Sequence, residues 1–285
     1  MADWQDKLTT SGAGDTLIAT LDEGSGHPVL MLHGIPTHSY LWRDVADVVA
    51  LGNRVIAPDL SGFGFSGKPQ TSDISPHGQA SVVEGLLADL EIGQFSLVGH
   101  DYGALVACEL LSRMADRIDR LVLTNTSLRY EDWSTRSPLN PLTVFSVPVA
   151  GEAALKLANP LMLKQAFALF VNERERLTDE TMALYWEPFR NGFDRTLLRL
   201  SRENRLAGET FHGWKAALYD FKGRALVAWG AADPVFRPDR AHEIVRLLSD
   251  CRFELFVHSN HFIQEDRPRA LGRLISAFVN GKLDE

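Results

Sequence analysis

The sequence predicts an α/β fold, a mostly parallel, doubly wound sheet with an inserted helical lid. Three observations predict it. Short continuous apolar runs alternate with longer helix-like stretches. The interval 127–214 breaks that alternation and carries only helical and proline-containing patterns. One apolar run ends in a glycine-flanked turn that enters a helix directly.

In chain order, the runs at 29–32, 54–58, 95–99, 121–125, 224–230 and 252–257 read as strands. They are continuous rather than alternating, as strands covered on both faces are. The earlier run at 16–21 is predicted as an edge strand. Helix patterns fall between them at 40–51, 78–90, 104–114, 241–248 and 270–279. This βαβ alternation argues for a doubly wound sheet. Helices inserted between two strands at the carboxyl edge lie above the crevice where open α/β sheets bind ligands. The expected division is a core of 1–126 and 215–285 and a helical cap of 127–214. A length of 285 residues suits one such domain with an insertion. No internal repeat or low-complexity tract interrupts it.

Composition narrows the function classes. With 45% hydrophobic and 23% charged residues, a sizeable core can form. Lys and Arg total 29 against 37 Asp and Glu, a formal charge of −8 with no basic stripe. That balance makes the protein a poor candidate for binding nucleic acid or an anionic membrane. Cys108 and Cys251 cannot build a disulfide framework and show no metal-ligand spacing. The polar first ten residues lack the apolar core of a secretory signal, and no apolar run reaches the length of a membrane span. The expectation is a soluble, cytoplasmic protein, monomeric or a small homo-oligomer.

The most informative segment is the run from Phe95 into Gly99-His100-Asp101-Tyr102-Gly103. A buried strand passes through a tight turn straight into a helix, which is the arrangement that presents a nucleophile. Flanking glycines allow the sharp bend and the close approach of helix to strand, and Ala104 and Ala107 suit the same crowding. Asp101 would also serve as a helix cap, but a cap needs no glycine on both sides. Gly62-Phe63-Gly64-Phe65-Ser66-Gly67 matches GxGxxG, yet Lys68-Pro69 and a polar stretch follow where a dinucleotide site needs a helix N-terminus. It reads as a glycine-rich loop beside a pocket.

Two more residues lie in loops after strand ends, Asp233 following 224–230 and His261 following 252–257. With Asp101 they converge on one edge of the sheet, His261 as base and Asp233 as its orienting acid. His33-Gly34-Ile35-Pro36 closes an early strand and presents a backbone N–H. The amides of Ile35 and Tyr102 are the expected oxyanion donors. His33 itself reads as a packing residue.

On these residues the chain resembles the α/β-hydrolase superfamily over nearly its whole length, including its order of nucleophile, acid and histidine. Within it, the chain resembles the branch with an aspartate nucleophile, that of haloalkane dehalogenases and epoxide hydrolases. The stretches 33–42, 59–69 and 185–189 are closer in style to the dehalogenases. The resemblance implies that the acid follows either of two strands. Asn125 stands at the first position and cannot act as a carboxylate, which leaves Asp233.

A carboxylate is ionised near neutral pH without help. Attack on an ester would give a reactive anhydride, whereas attack on a saturated carbon bearing a leaving group gives a stable alkyl ester. The expected substrate is therefore a small apolar organic molecule with a carbon–halogen bond or a strained C–O ring. Water is the second reactant, and no metal or organic cofactor is required. The chain departs from the dehalogenase pattern in the leaving-group donors. Tyr102 stands where Trp follows the nucleophile, and Ile35 where Asn is frequent. Trp133, Trp186 and Trp214 are lid candidates for that role, and Trp186 also reads as a core residue. Tyr130, Tyr185 and Tyr219 are candidates for the acid of an epoxide hydrolase. Tyr185, Trp186 and Tyr130 are thus the expected pocket residues, and the Tyr102 phenol is an expected donor to the leaving group. Dehalogenase-like hydrolysis ranks first. An epoxide hydrolase, or a binding protein on a hydrolase scaffold, are the alternatives.

Overall fold

The computed structural model describes residues 4–13, 16–134, 142–203 and 206–283. Eight strands form one sheet: β1 (Leu8–Ala13), β2 (Thr16–Gly24), β3 (Pro28–Leu32), β4 (Arg54–Pro58), β5 (Phe95–His100), β6 (Ile118–Thr124), β7 (Arg224–Gly230) and β8 (Cys251–Phe256). Their spatial order is β1-β2-β4-β3-β5-β6-β7-β8. β2 runs antiparallel to β1 and β4, and every other pairing is parallel.

The strand expected at the edge, 16–21, is covered on its outer side by β1. β1 is Leu-Thr-Thr-Ser-Gly-Ala, and its Thr9 and Thr10 are exposed. A strand that buries so little leaves no apolar signature to read.

The continuous apolar runs have a simple cause. Successive side chains of a strand point to opposite faces, and here both faces are roofed. Leu30, Leu32, Leu97, Leu121, Leu123 and Val227 pack on one side with the helix Tyr102–Met114. Val29, Met31, Val98, Val122, Leu226 and Ala228 pack on the other with the helices Arg43–Val49 and Pro268–Val279. The chain passes from β3 outward to β4 and then to β5 on the far side of β3. That reversal opens a crevice at the carboxyl ends of β3 and β5.

Between β6 and β7 the described residues contain helices and no strand. The helix Gly208–Asp220 runs across the expected boundary at 214, with Trp214 donating to Glu109 on the core helix Tyr102–Met114 at 2.8 Å. Several contacts fix the inserted helices over the sheet. Asp266 Oδ1 accepts the amides of Asn172 and Glu173 at 2.7 and 2.9 Å. Arg199 donates to the carbonyls of Pro69 and Ser72 at 2.9 and 2.8 Å. Arg190, Arg195, Arg199, Arg202 and Arg205 read in the sequence as one solvated face. Arg199 is instead a clamp to the core, Arg202 pairs with Glu152, and Arg205 lies outside the described residues.

Tyr185 of the inserted helices is anchored on a buried ion pair of the core, Arg43 with Glu265. Glu265 is fully buried, accepts Arg43 at 2.6 and 2.8 Å, and accepts the Tyr185 hydroxyl at 2.5 Å. Replacing Glu265 by Ala strands the Arg43 charge, and a broken buried pair costs about 3–5 kcal/mol. Urea unfolding of Glu265→Ala is expected to show a loss of that size. A stability loss under about 1 kcal/mol would show that the pair is solvated.

Candidate active site

β5 ends at His100, and Asp101 takes φ 52° and ψ −121° before the helix Tyr102–Met114 begins. A non-glycine residue at positive φ is strained, and its surroundings impose it. A Cβ on Gly99 would lie 2.7 Å from Ala104 Cα, and one on Gly103 would lie 2.4 Å from the Leu32 carbonyl oxygen. A Cβ on Gly34 would lie 2.4 Å from Asp101 Oδ1 itself. The backbone is then tied on both sides. The Asp101 N–H donates to Thr124 O at 3.2 Å, and its carbonyl accepts Thr126 Oγ1 at 2.9 Å.

The Asp101 carboxylate is 6% exposed. Ile35 N donates to its Oδ1 at 2.8 Å, and the Tyr102 amide also hydrogen-bonds it. His261 Nε2 lies 3.7 Å from Asp101 Oδ2, and His261 Nδ1 lies 2.9 Å from Asp233 Oδ2. Asp233 Oδ1 accepts the amides of Val235 and Phe236 at 2.7 and 3.0 Å. The three residues come from the ends of β5, β7 and β8, so parallel strands deliver them to one edge.

Burial raises the Asp101 carboxyl from 3.8 to about 6, although His261 and the amides of Tyr102 and Ile35 oppose the rise. Burial pulls the His261 imidazole down, but Asp233, through its charge and hydrogen bond, and Asp101 outweigh it and leave the group above its ordinary value. His33 is fully buried, with Nδ1 on Gly34 O and Nε2 accepting Leu60 N, each at 3.0 Å. Burial lowers it to about 4. It is a packing residue, as expected.

Sequence reasoning missed one partner of the site. Asn125 Nδ2 donates to Asp233 Oδ2 at 2.7 Å, while its Oδ1 accepts Gly230 N at 3.1 Å. The residue that cannot act as a carboxylate instead ties Asp233 to the backbone at the end of β7. Its φ of 36° is tolerated best by Asn and Asp among residues with a side chain. The signal was its position after a strand at the sheet edge.

A cavity of about 400 Å³ opens over Asp101 and His261. Leu142, Phe145, Leu155, Met162 and Phe170 of the inserted segment form much of its wall. Asp132 reaches the wall too, but its carboxylate is held by Ser127 at 2.5 Å and Arg240 at 2.5 and 3.2 Å. Trp133 lines the cavity with its N–H on Ser127 O at 2.8 Å. Trp186 lines it as well, stacked on Phe189 at 5.2 Å, and its N–H has no partner among the described residues.

The tyrosines lie elsewhere. Tyr185 is buried against Glu265 and does not line the cavity, because the buried carboxylate holds its hydroxyl. Tyr130 is 37% exposed, packs on Phe211, and also lies off the cavity. Tyr219 is exposed. The Tyr102 hydroxyl points away from Asp101 and donates to Ile74 O at 2.5 Å. Its phenol is therefore not placed to serve a leaving group, and only its backbone N–H faces the carboxylate. The loop 62–67 wraps Asp59, whose carboxylate accepts Ser39 N and Phe65 N at 2.7 Å each. The next helix starts only at Pro76, so the loop cradles no phosphate. No group of three potential metal ligands occurs among the described residues, nor any helix long and apolar enough to cross a membrane.

The sequence pattern of the alpha/beta hydrolase fold family matches residues 27–268. The chain belongs to that family. Along its length it is similar to haloalkane dehalogenases. That of Mesorhizobium japonicum is 30% identical over 277 residues, spanning 93% of this chain and 88% of the relative. That of Sphingobium indicum is 30% identical over 280 residues, spanning 92% and 91%. Among solved structures, the haloalkane dehalogenase DbeA of Bradyrhizobium elkani superposes with a TM-score of 0.80 at 28% identity, over 96% of this chain and 97% of that one.

Proposed function

We propose that the protein hydrolyses a carbon–halogen bond in a small apolar organic substrate, through an alkyl ester on Asp101. One observation carries this reading. A carboxylate, strained into position, faces an apolar cavity with an imidazole 3.7 Å away. Oδ1 is tied by Ile35 N, so Oδ2 attacks the saturated carbon and the halide departs with the bonding pair. His261 then removes a proton from water, whose oxygen adds to the Asp101 carboxyl carbon. Asp233 stabilises the imidazolium, and the amides of Ile35 and Tyr102 hold the tetrahedral oxyanion. Collapse releases the alcohol and restores Asp101, and His261 gives up its proton with the halide. We assign the leaving halide to Trp186, an indole residue of the cavity lining. Ring opening would need an acid, and no tyrosine lines the cavity among the described residues. That favours the carbon–halogen reading over an epoxide hydrolase.

Both cysteines are free, which supports a reducing, cytoplasmic setting. The same reading takes the protein as a monomer or small homo-oligomer.

His261→Gln with 1-bromohexane tests the proposal. Loss of a general base slows its step by roughly 10²–10⁴-fold, so the ester should accumulate. Intact mass is expected to rise by one hexyl group on Asp101. No adduct with any bromoalkane would overturn the reading, and an adduct with epoxides alone would replace it by ring opening.

A further inference from the structure

His100 immediately precedes Asp101, is fully buried, and has no part in the steps above. Its ring centroid lies 4.8 Å from that of His261 at an interplanar angle of 50°. Nδ1 lies 3.1 Å from Thr124 Oγ1, and the Thr124 backbone also accepts from the ring. Nδ1 faces Thr124 while Nε2 has no hydrogen-bond partner among the described residues, and on that ground the ring proton is assigned to Nδ1. Nε2 is then a bare, buried lone pair. An unpaired buried acceptor destabilises a fold, so its presence beside the base calls for a cause.

We propose that His100 is a positioning residue for His261, a neutral ring whose unshared lone pair stabilises the imidazolium formed during ester hydrolysis. The inference rests on the hydrolytic reading above. The groups around His261 support it. Asp101 and His100 face it from the end of β5, and Asp233 and Phe236 from the loop after β7. Phe262 adjoins it, and Phe170 covers it from the inserted helices. The side of the imidazole without a carboxylate is therefore walled by rings. Around His100 stand Trp42, Phe262, Thr124 and, through its charge, His33. Burial and then the proximity of His261 hold His100 well below its ordinary value, so it stays neutral when its neighbour charges. A neutral polar ring in contact with a cation in a buried site lowers the energy of that cation.

His100→Phe keeps a ring and removes the lone pair. The first readout is the titration of the His261 imidazole by NMR. Its midpoint is expected to fall by about one pH unit. The second is single-turnover kinetics with 1-bromohexane. The halide burst should persist while ester hydrolysis slows about tenfold. A merely structural role would slow both steps alike and leave the His261 midpoint in place. His100→Gln, which restores an acceptor, should recover most of the hydrolysis rate and serves if the Phe variant does not fold. An unshifted His261 midpoint in either folded variant that lacks the acceptor, His100→Phe or His100→Leu, overturns the proposal. Absence of any halide release by the unaltered protein overturns the hydrolytic reading instead, and the titration still decides the role of His100.

Discussion

Asp101→Asn is expected to abolish turnover and to leave the protein more stable than before. The first effect follows from chemistry, because an amide nitrogen or oxygen does not displace halide from carbon. Removing a nucleophile outright has cost about 10⁶ in turnover where it has been measured, so a fall of roughly 10⁴ or more is expected here. The second follows from linkage. The Asp101 carboxyl is raised from 3.8 to about 6, mainly by burial. The unfolded chain therefore ionises first as pH rises, and stability falls between about pH 4 and 6. A difference of this size is worth about 3 kcal/mol above pH 6. An uncharged Asn escapes it, keeping Oδ1 on Ile35 N. Halide release and thermal unfolding at pH 4 and pH 7.5 check both halves. The variant should gain at pH 7.5 and gain little at pH 4. By the same shift, alkylation in the unaltered protein should rise through about pH 6 as Asp101 ionises. Turnover above one percent of the original would show that another group attacks.

Asp233→Asn should lower turnover by about 10⁴-fold, the size of effect seen when an orienting acid loses its charge. Hydrogen bonding is the reason. Asp233 accepts from four donors, with Val235 N and Phe236 N on one oxygen, and Asn125 Nδ2 and His261 Nδ1 on the other. An amide has one acceptor and one donor end. If its oxygen serves the two amides, its NH₂ meets both Asn125 and His261 head on. The imidazole must then move its proton to Nε2, where it cannot take one from water. Alkylation needs no base, so the halide burst should survive while the ester persists. Hydrolysis within tenfold of the original rate would mean that another carboxylate orients His261.

Much of this was legible in the sequence because it rests on crowding and burial. Strands roofed on both faces must be apolar throughout, and a turn pressed between Gly99 and Gly103 must carry those glycines. β1 was not legible, since Thr9 and Thr10 face solvent and leave no pattern. The direction of a side chain was not legible either. Sequence gives a tyrosine at 102 or 185 but not the Ile74 carbonyl or the Glu265 carboxylate that turns each hydroxyl away. Those partners lie 28 and 80 positions distant. The pairing of Asn125 with Asp233, 108 positions apart, was hidden for the same reason.

The bend at Asp101 is enforced by its neighbours and hardly at all by the side chain at its tip. It works as a socket. A smaller nucleophile seated there, as in Asp101→Ser, would meet the same histidine and the same pair of amides without any redesign of the frame. What such an exchange alters is the kind of carbon attacked, saturated or carbonyl. Halide release and ester cleavage by Asp101→Ser would show whether that single position separates the two chemistries.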